Sequence, residues 1–231
     1  MSGYTEQHHI LLIASAQINS VPIIENHEPM IDLKDHTEIV YGPSPEIPDN
    51  NDYTKMRLGV HEKLKRAQSL LPHGLRFCLY ESYRSMDLQK MLFDTRYAKI
   101  KNQHPGWSAE QLFIETIRMV SPVINQDGSN NIPPHSTGAA IDVYLINNQG
   151  QAVEMGIHPE LWMDDLDGSL SLTASQIISE KAQQNRRIMG NALEAVGFVN
   201  YANEYWHWSY GDRYWAYYKN KPHAIYSSFK G

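Results

Sequence analysis

The sequence predicts an α+β fold in a single domain spanning residues 1–231, with an antiparallel β-sheet flanked by helices. Three observations predict it. A chain of 231 residues with 42% hydrophobic residues can bury one substantial core. Strand-like and helix-like patterns are interspersed without regular βαβ repetition, which favours α+β over a doubly wound sheet. The turn sequence NNQG at 147–150 follows an alternating segment and marks a hairpin, the antiparallel connection. The first 40 residues carry the weakest pattern.

Taken in order, the apolar run ILLIASA near the N-terminus predicts a first strand or a buried segment. YGPSPEIPDNND, 41 to 52, is rich in turn formers and predicts an irregular surface segment. KMRLGVHEKLKRAQSLL places Leu58, His61, Leu64, Ala67, Leu70 and Leu71 at helical spacing. GLRFCLY alternates through Leu75, Phe77 and Leu79 like a strand, with Cys78 as a small buried residue. Ser85 is placed to N-cap a helix carrying Leu88, Met91 and Leu92. Ser108 with Gln111 forms a capping-box signature for the next one. PPHSTGAAIDVYL, 133 to 145, ends in Ile141, Val143 and Leu145 alternating with Asp142 and Tyr144, a strand with one apolar face. A long helical pattern covers ASQIISEKAQQNRRIMGNALEAVG and stops at Gly197. The aromatic end, FVNYANEYWHWSYG through RYWAYYK, reads as strand-like.

Composition narrows the function classes. The net charge of −6 offers no electrostatic basis for binding nucleic acid or an anionic membrane. A single cysteine excludes an intrachain disulfide and a thiolate zinc cluster. No apolar run approaches the roughly 20 residues that cross a bilayer. MSGYTEQHH lacks the lysine or arginine of a signal peptide's n-region, so the expectation is a cytoplasmic protein. Nothing in the sequence bears on oligomeric state.

The chemistry lies in two stretches. Asp142 sits inside a strand that otherwise favours burial, and an unpaired buried carboxylate is costly. Its partner is an arginine, a set of backbone amides or a metal. His135 lies in the loop at that strand's mouth, and NEYWHWSYG carries Glu204 and His207 three residues apart. If His207 joins His135 and Asp142, two imidazoles and one carboxylate make the three-ligand composition of a catalytic zinc site, with the fourth position left for water. Glu204 is then placed to act as general base and acid. The spacing is not that of the helical HExxH motif. On the residues alone Asp142 also reads as a strand-end cap, and the tryptophans beside His207 as core. His8, His9, His61, His73, His104 and His223 have no such framework and read as structural.

Three blocks together, LLPHGLRFCLYESYRS, PPHSTGAAIDVYL and EYWHWSYG, resemble the zinc D,D-peptidase superfamily, which shares its fold with Hedgehog signalling domains. Within it the chain most resembles the D-alanyl-D-alanine dipeptidases, the group that includes the vancomycin-resistance dipeptidase. The likeness runs from about residue 30 to the C-terminus. It implies one zinc ion per chain held by His135, Asp142 and His207, with Glu204 as catalytic base. Arg84, in ESYRS, falls where that family has an arginine beside the scissile carbonyl. The implied substrate is a small D,D-dipeptide.

Two positions depart from the family pattern. The serine common two residues before the first zinc histidine is Pro133 here. The acidic residue before Met-Gly is Glu154, followed by Ile157-His158 where the family often has Thr and a nearby Phe-Asp. Glu154 is the sequence's candidate for the substrate's ammonium group. A D,D-carboxypeptidase or peptidoglycan endopeptidase would keep the same metal set, and a non-catalytic zinc-binding module would not need Glu204 and Arg84.

Overall fold

Alternation at Leu75–Glu81 and Ala140–Asn147 produces the two long strands of the main sheet, β4 and β5. The computed structural model describes residues 10–229, so His8 and His9 fall outside the described residues. Two shorter strands, Val199–Asn200 (β6) and His207–Ser209 (β7), join β5, and Val40–Tyr41 (β2) joins β4. The order is β2-β4-β5-β7-β6. All pairings are antiparallel except the edge pair β2-β4, which is parallel. The predicted α+β class is observed, with one parallel edge added.

Ile141, Val143 and Leu145 point from β5 into the main hydrophobic core, where they meet Phe77 and Leu79 of β4. Helix α2 (Leu58–Gln68) and helix α5 (Glu180–Ala195) belong to this layer, contributing Val60, Leu64, Met189 and Leu193. Gly190 of α5 lies against the Trp208 ring, a close approach that a larger side chain would obstruct. The other face of β5 presents Asp142. On that side stands α3 (Met86–Gln103), N-capped by Ser85 as predicted, with α4 (Ala109–Thr116) closed by the Ser108–Gln111 capping box.

Several predicted elements change. KMR does not begin the helix. Lys55–Arg57 (β3) pairs antiparallel with Met30–Asp32 (β1) in a separate two-stranded sheet, and α2 starts only at Leu58. Leu58 and Leu70 of the predicted apolar face are exposed. ILLIASA forms no strand. It is an irregular run leading into a short helix, α1 (Ala16–Asn19), and buries Ile13 and Ile18 against Tyr201 and Tyr214. Helix α5 starts at Glu180, capped by Ser179, six residues later than the pattern suggested. RYWAYYK is helical rather than strand-like: Arg213–Tyr218 (α6) is N-capped by the Asp212 carboxylate, which accepts from the Trp215 amide. NNQG does turn the chain, but the returning segment makes only an isolated bridge, Ile146 to Ala152. No helix among the described residues is long and apolar enough to cross a membrane.

A short 3-10 turn, Pro134–Thr137, delivers the chain into β5. Buried Arg57 fastens it, donating from Nε to the Thr137 carbonyl at 2.9 Å while its terminal nitrogens hold Glu25 and the Glu28 carbonyl. The turn ends in Gly138 at φ +70°, where a Cβ would also meet the Met30 sulfur at 2.6 Å. Because Met30 can swing aside, the left-handed backbone sets the cost. Gly138→Ala should destabilise the protein by about 1–2 kcal/mol. Gly106→Ala, where a Cβ meets nothing within 4 Å, should change stability little. Urea denaturation of both variants measures the difference.

Candidate metal centre and its cleft

Strand register builds the centre. Glu81 of β4 pairs with Asp142 of β5, and Asp142 pairs with His207 of β7. Directly paired residues share a face, so the three side chains stand in a row across the sheet. His135 reaches the same point from the 3-10 turn.

The ring nitrogens have defined roles. His135 Nδ1 lies 2.6 Å from the Ser82 carbonyl. A carbonyl only accepts, so Nδ1 carries the proton and Nε2 of the neutral ring presents its lone pair. That nitrogen is 3.1 Å from His207 Nδ1 and 3.4 Å from Asp142 Oδ2. His207 Nδ1 is in turn 3.1 Å from Asp142 Oδ1. Donor atoms of these three buried residues all fall within 4.8 Å of one another. Two imidazoles and a carboxylate turned on one point fit a divalent transition ion. The backbone carbonyl holding His135 is the usual outer partner of a metal-binding imidazole.

Glu204 sits beside this set. Its Oε2 is 3.9 Å from His207 Nδ1, and the residue is only 7% exposed. Burial, then the neighbouring Asp142 charge, pushes its carboxyl well above the usual range. Burial would also raise Asp142, but His135 and His207 outweigh it and hold that carboxyl low.

Arg84 follows β4 and is buried. Its Nε and Nη2 bond the Glu81 carboxylate, Nη1 donates to Gln89 Oε1 at 3.0 Å, and its amide donates to the His135 carbonyl at 3.3 Å. Arg84 thus pairs with Glu81 and also lines the cleft. Gln89, in the first turns of α3, is oriented by its own donation to the Ser121 carbonyl at 2.6 Å. A guanidinium has five N–H donors, so hydrogens on the terminal nitrogens stay available to a substrate.

A cleft of about 560 Å³, open mouth included, runs over the centre and is lined by His135, Asp142, His207, Glu204 and Arg84. Its other walls include Glu46, Tyr80, Trp162, Trp206 and Ile13. Pro133 lines it as well, so no hydroxyl stands at that position. The structure brings five of the six sequence-predicted residues together. Glu154 is the exception and is corrected here: it is exposed, absent from the cleft wall, and accepts from Ser179 Oγ at 2.5 Å near the start of α5. Its backbone also turns away, with the Glu154 carbonyl taken by Asn185 Nδ2. The acid that does face the cleft is Glu46, from the turn-rich segment read as an irregular surface loop.

The D-ala-D-ala dipeptidase family model matches residues 56–227, which include every residue of the centre. The chain belongs to the D-ala-D-ala dipeptidase family. It is accordingly a metallodipeptidase. A D-alanyl-D-alanine dipeptidase of Synechocystis sp. (strain ATCC 27184 / PCC 6803 / Kazusa) is 26% identical over 228 residues, covering 88% of this chain and 90% of that protein. Two solved structures are distantly similar. VanYB in complex with D-alanine-D-alanine has a TM-score of 0.42 and 15% identity, over 78% of this chain and 86% of its own. The LdcB LD-carboxypeptidase has a TM-score of 0.38 and 14% identity, over 85% and 76%.

Sequence reasoning missed the residues that hold this dipeptidase's centre in shape. Asn200 is the clearest. Its Nδ2 spans the Glu204 and His207 carbonyls at 3.1 and 3.0 Å, and its Oδ1 accepts from Thr173 Oγ1 at 2.6 Å. Only an Asx side chain facing a tight turn signals such a role, and NYANEYWH offers two asparagines. Asn200→Ala removes these bonds and should cost about 1–3 kcal/mol of stability. Chemical denaturation checks it, with Asn148→Ala as a control at an exposed position.

Proposed function

We propose that the protein hydrolyses the D-alanyl-D-alanine dipeptide, or a closely related D,D-dipeptide, with zinc held by His135, Asp142 and His207. The observation that carries the reading is the convergence of those three donor sets beside Glu204 and Arg84 in one cleft. Zinc in such a site supplies Lewis acidity, lowering the pKa of a coordinated water to about 7.

The chain's own groups do the rest. Glu204 acts as base in its ionised form, and positive charge at the adjacent ligand set lowers its pKa towards that form. Its carboxylate accepts the attacking water's proton as the C–O bond forms. Arg84, held by Glu81 and Gln89, donates from its terminal nitrogens to the carbonyl oxygen as negative charge gathers there. Glu204 then returns the proton to the departing nitrogen, the C–N bond breaks, and two amino acids leave. Because Arg84 is already fixed, little reorganisation is needed when the charge appears.

Glu46 supplies the end recognition that Glu154 was expected to give. Among the described residues it accepts one hydrogen bond, from Trp162 Nε1 at 3.1 Å. Burial pushes its carboxyl up, and the Glu81 charge adds to that. A carboxylate so short of partners favours a cation in the cleft, and the ammonium group of a free dipeptide is one.

Two measurements test this reading. Glu204→Ala should keep its zinc while kcat falls by about 10²–10⁴-fold, whereas His135→Ala should lose metal and activity together. Near-normal turnover of Glu204→Ala would remove that residue from the reaction. The native protein should cleave free D-Ala-D-Ala far better than its N-acetylated form, and Glu46→Gln, unlike Glu154→Gln, should narrow the gap. Equal cleavage of both forms by the native protein would reject the dipeptide pocket in favour of a carboxypeptidase.

A further inference from the structure

A second set of donors lies outside the cleft. His36 follows the 3-10 turn Leu33–Asp35, Glu38 comes two residues later, and His61 is carried by α2. Their ligand atoms all fall within 4.8 Å of one another. None of the three lines the cleft. The two imidazole centroids are 4.5 Å apart with their planes tilted by 47°, so the rings are not stacked.

His61 is the informative member. It is 1% exposed, yet neither of its ring nitrogens has a hydrogen-bond partner. A neutral imidazole has one donor and one acceptor, and leaving both unmet in the interior is unfavourable. Glu62 Oε1, next along the helix, stands 3.8 Å from Nδ1, beyond hydrogen-bond reach. A packing histidine would gain from replacement by an apolar residue. A ligand histidine would be arranged as this one is, with an unpartnered ring nitrogen within 4.8 Å of two other ligand atoms.

Local charge also suits a cation. Glu38 and Glu62 face Lys65, which lies 3.6 Å from Glu38 Oε1 and 2.9 Å from Glu62 Oε1. Two carboxylates against one ammonium leave a net negative corner. Glu38 is exposed and His36 half-buried, so an ion has an entry path from solvent. Glu38 Oε2 is positioned by the Thr37 amide at 3.0 Å.

We infer that His36, Glu38 and His61 form a second metal site for a borderline divalent ion such as zinc, separate from the catalytic centre. Imidazole with carboxylate suits zinc, cobalt or nickel better than the oxygen-seeking magnesium and calcium. The site ties the segment entering β2 to α2. That segment continues directly into the loop bearing Glu46, so the bound ion braces one wall of the cleft without touching substrate.

Metal content of the full-length protein, stripped with chelator and dialysed against zinc, decides the matter. The native protein should hold two zinc ions per chain. His36→Gln should hold one and keep its hydrolytic activity, and His207→Ala should hold one and lose activity. His61 is buried, so His36→Gln and the exposed Glu38→Gln are the variants least prone to misfold. As a second readout, zinc should raise the Tm of His207→Ala but not of the His36→Gln/His207→Ala double variant. Equal zinc content in the native protein and His36→Gln, with identical zinc-dependent Tm shifts in the single and double variants, would overturn the site. Both results are independent of whether the cleft acts on D,D-dipeptides.

Discussion

A carboxylate buried in the middle of the central strand must be compensated, and meeting that need for Asp142 organises the surroundings of β5. Its two neighbours in register are opposite in kind. Glu81 on one side bears the same charge, and directly opposed like charges are unfavourable. His207 on the other side is a donor or a ligand according to its protonation. Glu81 is therefore drawn away by Arg84, whose guanidinium is itself locked by Gln89. Asp142 is left to His135 and His207. The pairing that makes the sheet thus also sorts the acids, one to the guanidinium and one to the imidazoles.

The same arrangement is supported by hydrogen bonds from outside the sheet. Ser82 orients His135, Asn200 clasps the turn between Glu204 and His207, and Arg57 fastens the 3-10 turn that introduces His135. On the far wall, buried Arg96 of α3 gathers the carbonyls of Trp162, Met163, Asp165 and Leu166. Trp162 then holds Glu46 through its indole N–H. A cleft-lining carboxylate on an irregular loop is in this way positioned by a helix, which gives it the precision that a free loop lacks.

Legibility in the sequence followed the range of the interaction. The long strands β4 and β5, the Ser85 and Ser108 caps and the Gly197 stop were readable because period-two alternation and capping are local. His135, Asp142, Glu204 and His207 stood out as candidates because each is a reactive type in an unusual local setting, whereas Arg84 came only from the family resemblance. Lys55–Arg57 was not, because three residues cannot establish a period and the helical pattern beginning at Leu58 absorbed them. Arg213–Tyr218 misled in the other direction: Tyr and Trp favour strands, but the Asp212 cap selects a helix, which buries Tyr214 in one apolar cluster and Trp215 and Ala216 in another. Glu46 and His61 were invisible for a stronger reason. Glu46 matters through Trp162, 116 residues away, and His61 looked like one more position on an apolar helical face. Only the absence of partners around it in three dimensions separates the two meanings.

Charge around the cleft gives the proposed chemistry an internal consistency. Glu81, Asp142 and Glu204 are three buried carboxylates, and Arg84 is the one guanidinium bonded among them. Counted as neutral ligands, the two imidazoles add nothing to the sum. The group is two positive charges short of neutrality with all three acids ionised, which is the charge of a divalent cation. Without that cation, burial pushes the deficit onto Glu204, whose carboxyl is the one displaced upwards. Glu204, the carboxyl that burial displaces upwards, lies beside the ligand set without joining it, so a cation there would favour its ionised form. Glu46, further out, adds one more negative charge without a guanidinium or ammonium bonded to it. On the proposed reading, a zwitterionic dipeptide would bring an ammonium group to that end and its carbonyl to Arg84. Longer wall peptides carry an amide where the ammonium would be, and leave Glu46 facing a neutral group in a half-buried site. On the proposed reading, selectivity for the short substrate would rest on the same desolvation that raises Glu204.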